Sequence, residues 1–170
     1  MSIWIWHHEH WTAMPWTLWT AALVHLSTAH ALANLVALAC LWALARIWAL
    51  GLTTLGACLI AWPLSVVALA AWPGVETYAG LSGPLHGVAV ILVLHRLRAL
   101  WPQLKPEGYG ALALALGLSA KLVWEAAWRQ PVAWHADWGF PVVYAAHLSG
   151  AVVGALCAWV IAPRSKVRPQ

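Results

Sequence analysis

The chain has 170 residues, 63% of them hydrophobic and 8% charged, with a mean hydropathy of +0.74. Soluble domains carry roughly 25% charged residues, and nine basic and five acidic side chains cannot cover a globule of this size with polar surface. An ordinary soluble domain, a disordered chain and, despite a pI near 9.3, a nucleic-acid binder are thereby excluded, which leaves an integral membrane protein in contact with the lipid bilayer.

The opening segment, residues 1–23, is too polar and too broken to span a membrane: His7, His8, Glu9 and His10 interrupt it and Pro15 follows. It lacks the basic start of a signal peptide. Trp4, Trp6, Trp11, Trp16 and Trp19 mark it as a Trp-rich strip at the interface. His8-Glu9 is not followed by the second His of HExxH, so the cluster reads as interface contact or adventitious metal binding.

A bilayer core of about 30 Å needs about 20 helical residues. Five runs qualify, at 24–45, 51–72, 81–100, 108–126 and 141–162, separated by Gly51, Pro73-Gly74, Pro102 with Pro106 and Gly108, and Pro131 through Pro141. Pro63 predicts a kink in the second. The expected fold is an all-α polytopic membrane protein of about five transmembrane helices, over residues 24–162, with a basic tail at 163–170. Cys40, Cys58 and Cys157 lie in apolar runs and read as small hydrophobes, with no disulfide and no metal. His95 and His135 are expected at the interfaces, and Trp124, Trp128, Trp134 and Trp138 in an aromatic belt.

Arg46, Arg96, Arg98, Lys105, Arg164, Lys166 and Arg168 fall on one side of a five-span arrangement, with Arg129 opposite and Lys121 inside the fourth span. The positive-inside rule makes that side cytoplasmic, with the N-terminus outside and the C-terminus inside. Polar groups within spans are costly and point to function. At 1.5 Å per residue, His30 stands about 24 Å above Arg46, His147 about 25 Å above Arg164 and Ser82 about 21 Å above Arg96. A hydroxyl and an imidazole at one depth form a candidate nucleophile and base. The one Asp, Asp137, lies in an outer loop, so a Ser82–His147 dyad without a carboxylate is expected. Gly83 with Gly87, and Gly150 with Gly154, allow two helices close approach. His30 and Asn34 share a helix face and, with the Ser82 amide, are candidate oxyanion donors; interhelical hydrogen bonding is their plainer reading.

Three elements resemble the rhomboid intramembrane serine proteases: His25-x4-His30-x3-Asn34, Gly80-x-Ser82-Gly83, and His147-x2-Gly150-x3-Gly154. The approach WTLWTAALVHLSTAHALANL, residues 16–35, is similar too. Gly80-Leu81-Ser82-Gly83-Pro84-Leu85-His86-Gly87, with Lys121 and Glu125, resembles the rhombosortase branch. The resemblance covers about residues 16–160 and implies a rhomboid-like bundle, with Ser82 as nucleophile, His147 as general base, and His30, Asn34 and the Ser82 amide as the oxyanion site. Gly80, Gly83, Gly150 and Gly154 would support the contact. It also implies transmembrane protein substrates with a C-terminal sorting signal (Gly-rich site, helix, basic tail), a bacterial inner membrane, a site facing the periplasm, and no cofactor. Two departures stand out: the family's first helix is missing or replaced by the N-terminal segment or by one upstream, and Thr17 stands where many rhomboids have Arg. His86 is expected to pack beside His147 and His25 to be structural or water-bound. Lys121 and Glu125 read as a structural ion pair or as a substrate-recognition pair. Competing readings are a haem or metal protein using His30, His86 and His147, and a catalytically silent scaffold.

Overall fold

The computed structural model describes residues 2–100 and 106–161. Among the described residues six α-helices run in chain order: α1 (Thr17–Thr20), α2 (Thr28–Ile47), α3 (Leu52–Val67), α4 (Ser82–Leu100), α5 (Tyr109–Glu125) and α6 (Tyr144–Val160). Two small antiparallel ribbons are added to this helical membrane bundle: β1 (Trp6–His7) with β2 (Thr77–Tyr78), and β3 (Ala133–His135) with β4 (Phe140–Val142).

The five expected spans correspond to α2 through α6, with ends adjusted by local chemistry. The first begins at Thr28 because Ser27 caps it, its Oγ accepting from the His30 amide at 3.1 Å. The second runs through Pro63 and continues as a 3-10 turn, Ala68–Ala71. The last begins three residues later than expected because Phe140–Val142 is a strand paired with Ala133–His135. The stretches Thr28–Ile47, Leu52–Ala71 and Ser82–Leu100 are long and apolar enough to cross a membrane. α5 and α6 have 17 residues each, about 25 Å, at the short end of what a bilayer core accepts.

α4 is the centre of the bundle. It packs on α6 most extensively, then on α3, and on α2 and α5 at its flanks. α4 and α6 run parallel: Gly83 meets Ala146 and Gly150 at one end, and Arg98 donates to the Ala158 carbonyl at the other. A β-carbon on Gly150 would overlap the Gly83 carbonyl oxygen, and one on Gly87 would stand 2.9 Å from that of Gly150. The backbones touch, as small residues in membrane helices permit. Two polar bonds tie the bundle further, Trp72 Nε1 donating to Ser149 Oγ at 3.0 Å and, fully buried, Thr54 Oγ1 meeting His95 Nδ1 at 2.9 Å. His95, expected at an interface, is instead buried within the bundle, its Nδ1 meeting a partner 41 residues away.

The opening segment is more than an interfacial strip. Trp6 is fully buried among Leu18, Val66, Leu69, Val75 and Tyr78, and β1 pairs Trp6 with Tyr78, four residues before Ser82. Buried Thr17 donates to the Met14 carbonyl at 2.7 Å, fixing the turn into α1. Trp4, Trp16 and Trp19 remain exposed. Trp6→Ala is expected to lose about 3–5 kcal/mol of stability, and Trp4→Ala less than about 0.5 kcal/mol. Denaturant unfolding in detergent checks this, and equal losses would put Trp6 outside the core.

The basic residues Arg46, Arg96 and Arg98 lie near the C-terminal ends of α2 and α4. Lys105, Arg164, Lys166 and Arg168, and the expected tail at 163–170, lie outside the described residues.

Candidate active site

The site forms at the other end of the bundle, where α4 and α6 begin and α5 stops. Gly80 turns the chain into α4 at φ +125°, a region open to glycine, while its amide donates to the Ala21 carbonyl at 2.8 Å. A β-carbon here would stand 2.8 Å from His30 Cε1, so the missing side chain also makes room for that ring. Ser82 is the first residue of α4, where amides lack intrahelical acceptors. The Gly83 amide donates to the Tyr78 hydroxyl at 3.1 Å. Burial pushes the Tyr78 phenol up to about 12, against the opposing effect of its bonds to Gly83 and Ser82, so it stays neutral.

Ser82 Oγ lies 3.0 Å from His147 Nε2. On the far side of the ring, His147 Nδ1 lies 2.8 Å from Glu125 Oε2. A carboxylate only accepts, so Nδ1 carries the proton and Nε2 presents its lone pair to the serine hydroxyl. Lys121 pairs with the other carboxylate oxygen, Oε1. The 3.5 Å approach of Lys121 Nζ to His147 Nδ1 is then one of two donors, not a hydrogen bond. His86 donates Nδ1–H to the Ser82 carbonyl at 2.7 Å and stacks on His147, with ring centroids 4.2 Å apart and planes inclined by 13°.

These groups open into a cavity of about 620 Å³ that is also lined by His30, Asn34, His135, Trp138 and Tyr144. His30 Nδ1 and Asn34 Nδ2 are buried and have no hydrogen-bond partner among the described residues. Both residues line the cavity, and unpaired buried polar atoms beside it suit a partner that arrives with a ligand. His25 meets His30 edge to face at 5.0 Å, hydrogen-bonds the Leu23 carbonyl at 3.2 Å, and is not part of the lining.

His86, Glu125 and His147 carry ligand-type atoms within 4.8 Å of one another. Ring nitrogen lone pairs lie in the ring plane, and in near-parallel stacked rings they do not converge on one point. Both Nδ1 atoms are already donors. The arrangement therefore suits proton transfer better than metal ligation.

Ser82, His147, His30, Asn34, His86, Lys121 and Glu125 thus share one cavity. Gly80, Gly83, Gly150 and Gly154 lie behind it as contact residues, and His25 stands at its edge. The expectation of a site without a carboxylate is corrected: the carboxylate is Glu125, not the loop residue Asp137. Its level was available in the sequence, since Glu125 stands 17 residues above Gly108, about 25 Å, the same as His147. Tyr78 was also missed, and no spacing in the sequence signals it.

A parallel glycine-packed helix pair here brings a serine to a histidine inside a membrane bundle, an arrangement able to activate a hydroxyl for acyl transfer. Residues 12–164 match the rhomboid domain, and the chain belongs to the rhomboid family, whose members are intramembrane serine proteases. No curated protein matches the chain.

Proposed function

We propose that this protein is a serine endopeptidase that cuts membrane-anchored proteins of the bacterial inner membrane near a Gly-rich site next to a C-terminal transmembrane helix, as rhombosortases do. The single observation that carries the catalytic part is the 3.0 Å approach of Ser82 Oγ to His147 Nε2 on a second helix. The substrate part rests on the likeness of Gly80-Leu81-Ser82-Gly83-Pro84-Leu85-His86-Gly87 to that branch.

In this reading, His147 Nε2 takes the Ser82 proton as Oγ attacks the scissile carbonyl carbon. The carbonyl π pair moves onto oxygen, and the oxyanion takes hydrogen bonds from His30, Asn34 and the Ser82 amide. His147 returns its proton to the leaving amine, an acyl-serine remains, and water entering the cavity repeats the sequence to release the acid. Lipid contributes no water, so the open cavity at the extracytoplasmic end is a requirement of the chemistry. The orientation rests on the positive-inside rule, with the arginines of α2 and α4 cytoplasmic.

The test uses the purified protein with a fluorophosphonate probe, and co-expression with a protein ending in a Gly-rich junction, an apolar helix and a basic tail. Stoichiometric labelling at Ser82, and a new C-terminus at the junction by mass analysis, are the expected results. A folded sample unlabelled at Ser82 would leave the scaffold reading in its place.

A further inference from the structure

We propose that Glu125 is a positioning residue for His147, so that the site works as a Ser82–His147–Glu125 triad, with Lys121 holding the carboxylate in register. This inference rests on the serine-protease reading and adds to it a residue otherwise assigned to a local ion pair or to substrate recognition.

Three observations carry it. First, each oxygen of the carboxylate has its own partner: Oε2 takes the His147 Nδ1 proton at 2.8 Å and Oε1 pairs with Lys121. A simple surface ion pair would leave one oxygen to solvent. Here the Glu125 side chain is 9% exposed and that of His147 6%. Second, α5 ends at this residue. Ala126 adopts the left-handed conformation at φ 44°, its amide closing on the Leu122 carbonyl, so the helix stops with Glu125 facing the start of α6. Third, His86 lies flat on His147, which fixes the plane of the ring but not its proton. Only Glu125, among the described residues, sets which nitrogen is protonated.

The consequence for the reaction is specific. With Nδ1–H tied to the carboxylate, Nε2 is the basic nitrogen and it faces Ser82. When the Ser82 proton moves to Nε2, the imidazolium formed lies against an ionised carboxylate. Glu125 keeps its charge and takes no proton, as the acid of a serine-protease triad does. Lys121 reaches the exposed side of the cavity, with its side chain 46% accessible, and balances Glu125 in the resting enzyme. An unpaired carboxylate this buried would be costly.

The test compares the wild type with Glu125→Gln, Glu125→Asp and Glu125→Ala in reconstituted, folded protein. Labelling of Ser82 by a fluorophosphonate, and kcat for a cleaved transmembrane peptide, should fall on the order of 10³- to 10⁴-fold in Glu125→Gln while KM holds. Glu125→Asp should retain intermediate activity, and formate should restore part of the rate to Glu125→Ala. A purely structural ion pair predicts neither rescue. Imidazole ¹⁵N NMR of the wild type, which does not depend on catalysis, should find His147 protonated at Nδ1. A folded Glu125→Gln protein labelled at the wild-type rate, or His147 found as the Nε2–H tautomer, would overturn the proposal. A wild type unlabelled at Ser82 but with Nδ1–H on His147 would instead overturn the protease reading, and the catalytic role of Glu125 with it.

Discussion

Ser82→Ala and His147→Ala are each expected to lower cleavage of a co-reconstituted transmembrane substrate by about 10⁶-fold, and the double variant to be no worse than either alone. The reason is that the two groups act as one unit. Without Nε2 at 3.0 Å the hydroxyl has no base, and without the hydroxyl the base has nothing to activate. Residual turnover would come from the oxyanion donors and from substrate binding, which neither substitution removes. Removing the Ser82 hydroxyl leaves the carbonyl that accepts from His86 and the glycine contact of α4 unchanged, so Ser82→Ala should still insert and fold. Mass analysis of the released fragment measures the effect. Wild-type turnover by purified Ser82→Ala would remove Ser82 as nucleophile.

The second large effect is structural. Gly150→Val is expected to cost about 3 kcal/mol or more and to abolish Ser82 labelling. A β-carbon there overlaps the Gly83 carbonyl, a backbone atom that no rotamer change can move aside. Relief requires α4 and α6 to separate, and these are the helices that bring Ser82 to His147. Gly117→Ala is the matched control, since nothing lies within 4 Å of its added carbon and alanine favours a helix. Denaturant unfolding and probe labelling of both variants measure the difference. A Gly150→Val protein as stable and as reactive as Gly117→Ala would mean that the two helices do not touch as described.

The architecture was legible in the sequence because a membrane helix must declare itself by composition. The span ends moved by only a few residues, where Ser27 caps α2 and where Phe140–Val142 pairs as a strand. That Ser82, His147 and His30 share a level was legible through depth, because residues counted from a common charged boundary report height along parallel or antiparallel helices, and Asn34 follows from sharing a helix face with His30. What a height cannot report is azimuth. Glu125 and Lys121 sit one turn apart, so they satisfy each other locally, and nothing on α5 alone signals that the carboxylate also faces α6. His95 misled for the same reason, as its partner Thr54 is on another helix. Trp6 misled because an interface tryptophan and a core tryptophan look alike until β1 is paired with β2.

The helix that carries the proposed oxyanion donors is held lightly by the protein, as is α5. Of the twenty residues of α2, Asn34 and Leu41 are buried, while Leu32, Leu35, Val36 and Trp42 face outward. Ser82 and His147 stand on α4 and α6, whose backbones touch, whereas α2 turns most of its side chains away from the bundle. In the protease reading, annular lipid therefore borders the proposed anion-binding wall, and exchange of bilayer for micelle is expected to disturb oxyanion stabilisation more than the Ser82–His147 contact.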